Sequence, residues 1–237
     1  MLRRVGRRRV EGGRTLLRGI FVAGTDTNVG KTVVSAALIR RYRNLPIKYW
    51  KPIQTGIEQD DDSTEVQRLS GCGPGRVLNE GVRLPRPVSP HLAAKLSGTS
   101  ITIDPLISSA ASMSGGGWIV EGVGGVLVPL NERHLLIDLM AGLKLPVLIV
   151  SRSGLGTINH TLLTIDALGR RAVPIAGVVM VGPPDEISRE NRLAIEHYGR
   201  VPVLGEMPML NPLTPERLRG WAETSLDAKG RLADFLS

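Results

Sequence analysis

Cysteine is almost absent from this chain, because Cys72 is the only one among 237 residues. A single thiol cannot form an internal disulfide, so we expect a reducing compartment and predict a cytoplasmic location. Apolar runs long enough to cross a bilayer are also missing, since the longest candidates, such as residues 145–150, have the length of buried strands. We therefore expect a soluble protein with no membrane partner.

Acidic residues are scarce at the start of the chain, where residues 1–19 contain seven arginines and one acid, Glu11. This segment accounts for +6 of the formal net charge of +8, so the other 218 residues carry only about +2. That is too little for a nucleic-acid-binding surface, and we expect no nucleic-acid partner. Residues 1–18 lack apolar periodicity, and we expect a basic, disordered extension or a misplaced start codon. An organellar targeting peptide and a nucleic-acid-binding arm are the alternatives.

Internal repeats and low-complexity linkers are absent from the remainder, so we predict one domain over residues 19–237. Short runs rich in Val and Ile alternate with amphipathic segments, which is typical of an α/β fold with a mostly parallel central sheet. Strands are expected at residues 19–23, 47–51, 118–120, 146–150, 175–180 and 202–204. Helices are expected at residues 32–43, 63–69, 91–96, 104–113, 135–143, 159–168 and 187–198.

A phosphate-binding loop is indicated by residues 24–32, which follow the first predicted strand and open the first helix. Lys31 is expected to reach the β- and γ-phosphates of a nucleotide, and the Thr32 hydroxyl to ligate Mg²⁺. The motif is a variant, because Thr25 occupies the position of the first glycine and Gly24 lies one residue earlier. This context predicts a P-loop NTPase-like, three-layer α/β fold.

Carboxylates that could complete a metal site occur in two places. Glu121 follows a buried strand, and hard cations prefer such oxygen ligands, with phosphates supplying the others. The run Asp60-Asp61-Asp62 precedes a predicted helix, where acids commonly cap the helix and compensate its dipole. Spacing alone does not select one acid of this run.

Two other nucleotide-binding classes fit the sequence less well. ParA- and MinD-like partner switches carry an additional lysine five residues before the P-loop lysine, and Asp26 occupies that position here. Ras-like GTPases require an Asn-Lys-x-Asp motif, which this chain lacks. The fold alone does not settle the function, so a ParA/MinD-like switch stays an alternative.

Six motifs, spread from about residue 20 to residue 210, together resemble the dethiobiotin synthetase family. They are Gly24-Thr25-Asp26-Thr27 through Gly30-Lys31-Thr32, Lys51-Pro52-Ile53-Gln54-Thr55-Gly56, Ser89-Pro90-His91, Val120-Glu121-Gly122-Val123-Gly124-Gly125, Gly156-Thr157-Ile158-Asn159-His160 and Gly205-Glu206-Met207-Pro208. The resemblance implies an ATP-dependent carbon–nitrogen ligase of biotin biosynthesis that works as a homodimer. It implies that 7,8-diaminopelargonate, CO₂ and ATP, with Mg²⁺, give dethiobiotin, ADP and phosphate through a carbamate and a carbamoyl-phosphate mixed anhydride.

The resemblance also implies site residues. Lys51 and Lys31 are expected to be catalytic, and the metal ligands are expected to be Thr32, Asp62 and Glu121. Substrate contacts are expected from Thr27, Asn28, Lys51, Thr55, Gly124 and Asn159, the last across the dimer interface or merely capping its helix. Nucleotide contacts are expected from Asn28, Val29, Gly30, Lys31, Thr32, Val33, Glu121, Gly122, Val123, Gly124, Val181, Gly182, Pro208, Met209 and Leu210.

The chain departs from the family pattern in two places. Asn28 stands where some members have an acid directed at the substrate amines, so this contact is expected to be weaker or made through water. Val181-Gly182 replaces an Asn-containing pair that often recognises adenine, so we hypothesise that other nucleoside triphosphates are accepted. A cobyrinic-acid-diamide-type ligase is the enzyme alternative, but such enzymes usually carry a nucleophilic cysteine, and Cys72 lies in a poor setting.

Overall fold

A parallel sheet forms the centre of the computed structural model, which describes residues 10–11, 14–15, 17–113 and 115–237. The strands, in chain order, are β1 (Val10–Glu11), β2 (Arg14–Thr15), β3 (Gly19–Gly24), β4 (Lys48–Trp50), β5 (Ile53–Thr55), β6 (Val77–Leu78), β7 (Val82–Leu84), β8 (Trp118–Gly125), β9 (Val147–Arg152), β10 (Ile175–Val181) and β11 (Val203–Met207). The central sheet has the order β11-β10-β9-β3-β8-β4-β6, and its neighbouring strands are parallel. The predicted fold class is therefore confirmed.

Helices cover both faces of this sheet. They are α1 (Lys31–Arg41), α2 (Asp62–Ser70), α3 (Pro90–Leu96), α4 (Ile103–Ser112), α5 (Leu136–Leu143), α6 (Thr157–Arg170), α7 (Glu186–Gly199), α8 (Pro215–Thr224) and α9 (Ala233–Leu236), with a short 3₁₀ turn at Pro74–Arg76. Helices α1, α2, α8 and α9 share one apolar core with the sheet, and α3 to α7 share the other. Alternate residues of β3 enter opposite cores, which explains its continuous apolar sequence.

The structure differs from the sequence-based expectations at several elements. Strand β8 continues through Glu121 to Gly125, beyond the expected end at residue 120, because it stays paired with β3 as far as Gly24. Strands β5 and β7 form a separate two-stranded parallel sheet that was not expected. Helix α8, capped by the Thr214 side chain with proline in its first turn, was also missed.

The segment expected to be a basic, disordered extension is described only in part. Residues Val10–Glu11 pair with Arg14–Thr15 as a short antiparallel ladder. Residues 1–9, 12–13 and 16 lie outside the described part of the chain, so the expectation for them stays a prediction. Among the described helices, none has the length and apolar character required to span a bilayer.

Candidate active site

The predicted phosphate loop connects β3 to the first residue of α1. Gly30 adopts a left-handed conformation, with φ of 100°, immediately before the helix begins at Lys31. The Lys31 ammonium donates to the Asp26 carbonyl oxygen at 2.9 Å, so the side chain folds back over its own loop. Burial lowers the pKa of Lys31 to about 8, against the opposing attraction of Glu121. A triphosphate at this helix N-terminus would meet both the backbone N–H groups and this ammonium.

The shifted glycine of the loop has a steric reason. A Cβ atom on Gly24 would lie 2.6 Å from the Asp26 carbonyl oxygen and 2.9 Å from the Lys31 ammonium. The Thr25 N–H donates to the Val150 carbonyl at 3.0 Å, so Thr25 continues the sheet pairing and needs no glycine. The residue without a side chain is therefore required at position 24.

Beside the loop, four polar side chains from remote parts of the chain meet at one point. The Thr32 hydroxyl lies 2.7 Å from Asp62 Oδ1 and 3.0 Å from Glu121 Oε1. Lys51 Nζ donates to Glu121 Oε1 at 2.9 Å and also to Asp62 Oδ2. The structure thus brings together the three residues predicted as metal ligands and Lys51, one of the two lysines predicted to be catalytic.

Charges in this cluster stabilise one another. Burial alone would lower the pKa of Lys51, but attraction from Glu121 and Asp62 outweighs burial and raises it. Burial alone would likewise raise the pKa of Asp62, but the Lys51 ammonium holds it below its ordinary value. The cluster therefore contains a buried ammonium between two carboxylates, and each charge keeps its neighbour in the ionised form.

Strand register accounts for the meeting of Lys51 and Glu121. Trp50 of β4 is paired with Val120 of β8, so the residues that follow them lie side by side, just beyond the carboxyl end of β4. Lys51 follows β4 directly, and Glu121 follows Val120 within β8. Ligands of open α/β sheets bind outside this edge.

The acidic run divides its roles between two neighbours. Asp61 caps α2, because its carboxylate accepts from the Ser63 N–H at 3.0 Å. Asp62, the first residue of α2, faces the cluster instead. The buried Gln54 donates to the Asp60 carbonyl at 2.9 Å and fixes the loop that precedes the helix.

Two functional candidates were missed by sequence reasoning. Ser35 donates to Glu121 Oε2 at 2.8 Å, and Tyr49 donates to the same oxygen at 3.0 Å. Ser35 lies three residues after Thr32 on α1, and Tyr49 two residues before Lys51, so each shares a face with a predicted site residue. These spacings were the available signal.

The other predicted residues surround this cluster or lie apart from it. Gly124 approaches Thr27, since a Cβ on the glycine would lie 3.7 Å from the threonine hydroxyl. A Cβ on Gly30 would likewise lie 3.3 Å from a methyl group of Val181. Asn159 is exposed in the first turn of α6; the expectation that it caps this helix is wrong, because Gly156 occupies the cap.

The positions of the other predicted nucleotide- and substrate-contacting residues follow from the strands and loops that contain them. Gly182 donates to the Met207 carbonyl at 2.9 Å, which brings the end of β10 beside the segment that follows β11. Thr55, the last residue of β5, is half-buried. The remaining predicted contacts sit in the phosphate loop, in α1, in β8 and after β11: Asn28, Val29, Val33, Gly122, Val123, Pro208, Met209 and Leu210.

The donor set suits a hard divalent cation that also binds phosphate. Within the described ranges, no group of three or more His, Cys, Asp and Glu side chains gathers as a metal site. What the cluster offers is one hydroxyl and two carboxylates, all oxygen donors, beside the phosphate loop. Mg²⁺ is commonly held by one or two carboxylates together with substrate phosphates and water, so these residues fit it.

Comparisons with known proteins identify the family. A family model described as an AAA domain matches residues 18–217. The ATP-dependent dethiobiotin synthetase BioD of Paramagnetospirillum magneticum is 47% identical over 204 residues, which are 86% of this chain and 94% of that protein. The chain belongs to the dethiobiotin synthetase family. The resemblance inferred from the six motifs is thereby confirmed, together with the expected class of ATP-dependent ligase.

Other dethiobiotin synthetase relatives agree with this assignment. The Brucella ovis protein of the same name is 44% identical over 199 residues, covering 84% of this chain and 90% of that protein. The biotin biosynthesis bifunctional protein BioCD of Bordetella avium is 46% identical over 209 residues, 87% of this chain. The match covers only 43% of that longer protein.

Two solved structures have a similar fold. The MinC:MinD cell division complex of Aquifex aeolicus matches with a TM-score of 0.57 and 14% identity, covering 90% of this chain and 94% of the other. A ParA family ATPase from Chlorobium tepidum TLS matches with a TM-score of 0.54 and 13% identity, covering 92% and 97%. At such low identity these matches show the fold alone.

Proposed function

We propose that this chain closes the ureido ring of dethiobiotin from 7,8-diaminopelargonate and CO₂, using ATP and Mg²⁺ and releasing ADP and phosphate. One observation carries the proposal: the buried Lys51 ammonium lies between Asp62 and Glu121, beside Thr32 at the start of α1. A buried cation at this position can stabilise negative charge on transferring oxygens, which is the main demand of phosphoryl transfer.

The proposed reaction has three steps. One amine of the substrate captures CO₂ and loses a proton, giving a carbamate. A carbamate oxygen then attacks the γ-phosphorus of ATP, so that the bond to ADP breaks and a carbamoyl-phosphate mixed anhydride forms. The second amine attacks the anhydride carbon, loses its proton and expels phosphate, which closes the ring.

Residues of this chain would mainly hold and orient the reactants. The phosphate loop would bind the triphosphate through its backbone N–H groups and Lys31. Lys51 would lie against the carbamate and the γ-phosphate, where its charge offsets developing negative charge. Thr32, Asp62 and Glu121 would hold Mg²⁺, which supplies charge neutralisation on the phosphate oxygens when bound.

We also propose that the enzyme is a cytoplasmic homodimer in which Asn159 of one subunit reaches the substrate of the other. The exposed position of Asn159 in α6 supports such a role. Leu163, one helical turn further along, keeps 60% of its surface exposed, and Leu155 just before the helix is fully exposed. Apolar side chains around an exposed polar residue are typical of an interface.

Dethiobiotin formation, measured by mass spectrometry with purified protein, diaminopelargonate, bicarbonate, Mg²⁺ and ATP, tests the proposal. Lys51→Ala should lower product formation by at least about 100-fold, as expected when a charge-stabilising group is lost. Lys95→Ala, which removes an exposed lysine of α3, is the matched control and should keep full activity. Absence of dethiobiotin with the unaltered protein, or full activity of Lys51→Ala, would contradict the proposal.

A further inference from the structure

The two oxygens of Glu121 face different surroundings. Oε1 points to the cluster, where Lys51 lies at 2.9 Å and the Thr32 hydroxyl at 3.0 Å. Oε2 points the other way, into the core, and accepts from Ser35 at 2.8 Å and from Tyr49 at 3.0 Å. Both oxygens therefore have two partners, but only one oxygen faces the nucleotide side.

Both donors to Oε2 are fixed by the fold. Glu121, Ser35 and Tyr49 are all completely buried. Tyr49 is paired with Ile119 across the β4–β8 ladder, so its ring reaches diagonally to Glu121 on the same face of the sheet. Ser35 approaches from α1, one helical turn after Thr32. The carboxylate is thus held from the sheet and from the helix at once.

The Tyr49 hydroxyl can only donate in this setting. Glu121 Oε2, 3.0 Å away, is a carboxylate oxygen and accepts, so the phenol hydroxyl is the donor. A neutral phenol beside an ionised carboxylate makes a charge-assisted hydrogen bond, which is stronger than one between neutral groups.

We propose that Tyr49 and Ser35 are positioning residues that occupy Glu121 Oε2, so that Glu121 offers the metal a single oxygen, Oε1. This inference rests on the metal site of the proposed function. Mg²⁺ demands near-ideal octahedral geometry, whereas Ca²⁺ accepts bidentate carboxylates and irregular shells. A carboxylate restricted to one oxygen therefore favours Mg²⁺ over Ca²⁺.

The test compares metal binding in Tyr49→Phe and in the unaltered protein. Binding of Mn²⁺ is followed by electron paramagnetic resonance with a non-hydrolysable ATP analogue present, and Mg²⁺ and Ca²⁺ are added as competitors. In Tyr49→Phe, the Mg²⁺ concentration needed to displace Mn²⁺ should rise by about 10- to 100-fold, because loss of a residue that orients a metal ligand typically weakens metal binding by that factor. The Ca²⁺ concentration needed to displace Mn²⁺ should rise less, so the preference of the site for Mg²⁺ over Ca²⁺ falls. Metal binding is measured without turnover, so the result does not depend on which product the enzyme makes.

Tyr42→Phe is the matched control, because Tyr42 also donates its hydroxyl to a carboxylate, that of Asp227, at the opposite end of α1. This variant should lose stability but keep the metal preference of the unaltered protein. An unchanged Mg²⁺ to Ca²⁺ preference in Tyr49→Phe, or an equal change in Tyr42→Phe, would overturn the inference. If Tyr49→Phe folds poorly, Ser35→Ala removes the other donor, and an unchanged preference there overturns it equally.

Discussion

Two neighbouring acids at the start of α2 have different roles, although they are only one residue apart. Asp61 accepts from backbone N–H of the helix, whereas Asp62 contacts Thr32 and Lys51. The two carboxylates have the same chemistry and differ in where they point, because Asp61 precedes the helix and Asp62 is its first residue. Their substitution therefore separates stability from activity.

Asp62→Ala should lower dethiobiotin formation by about 100-fold or more, because a predicted metal ligand and a partner of Lys51 are lost together. Asp61→Ala should keep the activity and lower the free energy of unfolding by about 0.5–2 kcal/mol, the usual cost of losing an N-cap. Steady-state kinetics and urea unfolding of both variants check this. Equal activity losses in the two variants would contradict the assignment.

Lys51 also compensates the charges of the two carboxylates between which it lies. Lys51→Met should lower the free energy of unfolding by about 3 kcal/mol in metal-free buffer, because one partner of a buried ion pair is removed. Added Mg²⁺ should then raise the melting temperature of the variant more than that of the unaltered protein, since a cation again joins the carboxylates. Calorimetry with and without Mg²⁺ measures this, and an equal Mg²⁺ effect on both proteins would argue against it.

At the scale of elements, the turn from β3 into α1 depends on a missing side chain. Gly24→Ala should weaken nucleotide binding strongly, because its Cβ would collide with the Asp26 carbonyl and the Lys31 ammonium. Gly169→Ala, near the end of α6 in open space, should instead raise stability by about 0.5–1 kcal/mol. Isothermal titration with ATP checks the first variant, and undiminished affinity would show that the loop tolerates a side chain there.

The ends of β10 and β11 contain the residues on which the hypothesis of weak discrimination between nucleotide bases depends. The Gly182 N–H is occupied by the Met207 carbonyl, and the Val181 carbonyl accepts from Ser153 N–H. We therefore expect comparable turnover with ATP, CTP and GTP, and strict ATP dependence would contradict this. A Cβ on Gly182 would lie 2.0 Å from the Ser153 hydroxyl, so an amide can be restored only at position 181. Val181→Asn should accordingly raise the ratio of ATP to CTP turnover.

The sequence predicted most elements of the central sheet, because buried parallel strands read as apolar runs of Val and Ile. It did not predict the short strand β5, where Pro52 and polar residues hide the pattern. The role of Tyr49 was also hidden, since a tyrosine in a strand reads as core. Only the pairing of β4 with β8 reveals that its hydroxyl meets Glu121.

At the scale of the whole molecule, the parallel sheet collects remote motifs at one edge. The phosphate loop follows β3, Lys51 follows β4, Glu121 lies within β8 beside the end of β4, and Asp62 joins them from α2. Residue types and order alone therefore predicted the phosphate loop and Glu121, while Lys51 and the choice of Asp62 needed the family resemblance or the structure.

The proposed homodimer interface can be tested by substitution on the exposed face of α6. Leu163→Asp should convert the proposed dimer to monomer and reduce activity, because a charge would be buried in an apolar interface. Leu96→Asp, at another exposed leucine, should leave both unchanged. Analytical ultracentrifugation distinguishes the two, and a dimer that survives Leu163→Asp would place the interface elsewhere.

We propose that a carbamate oxygen attacks ATP beside Lys51 and leaves within the released phosphate. The most direct measurement uses freshly prepared CO₂ labelled with ¹⁸O, diaminopelargonate and ATP in a brief reaction, followed by mass spectrometry of the released phosphate. One labelled oxygen is expected in each phosphate and one in each dethiobiotin carbonyl. Unlabelled phosphate released alongside labelled dethiobiotin would contradict it.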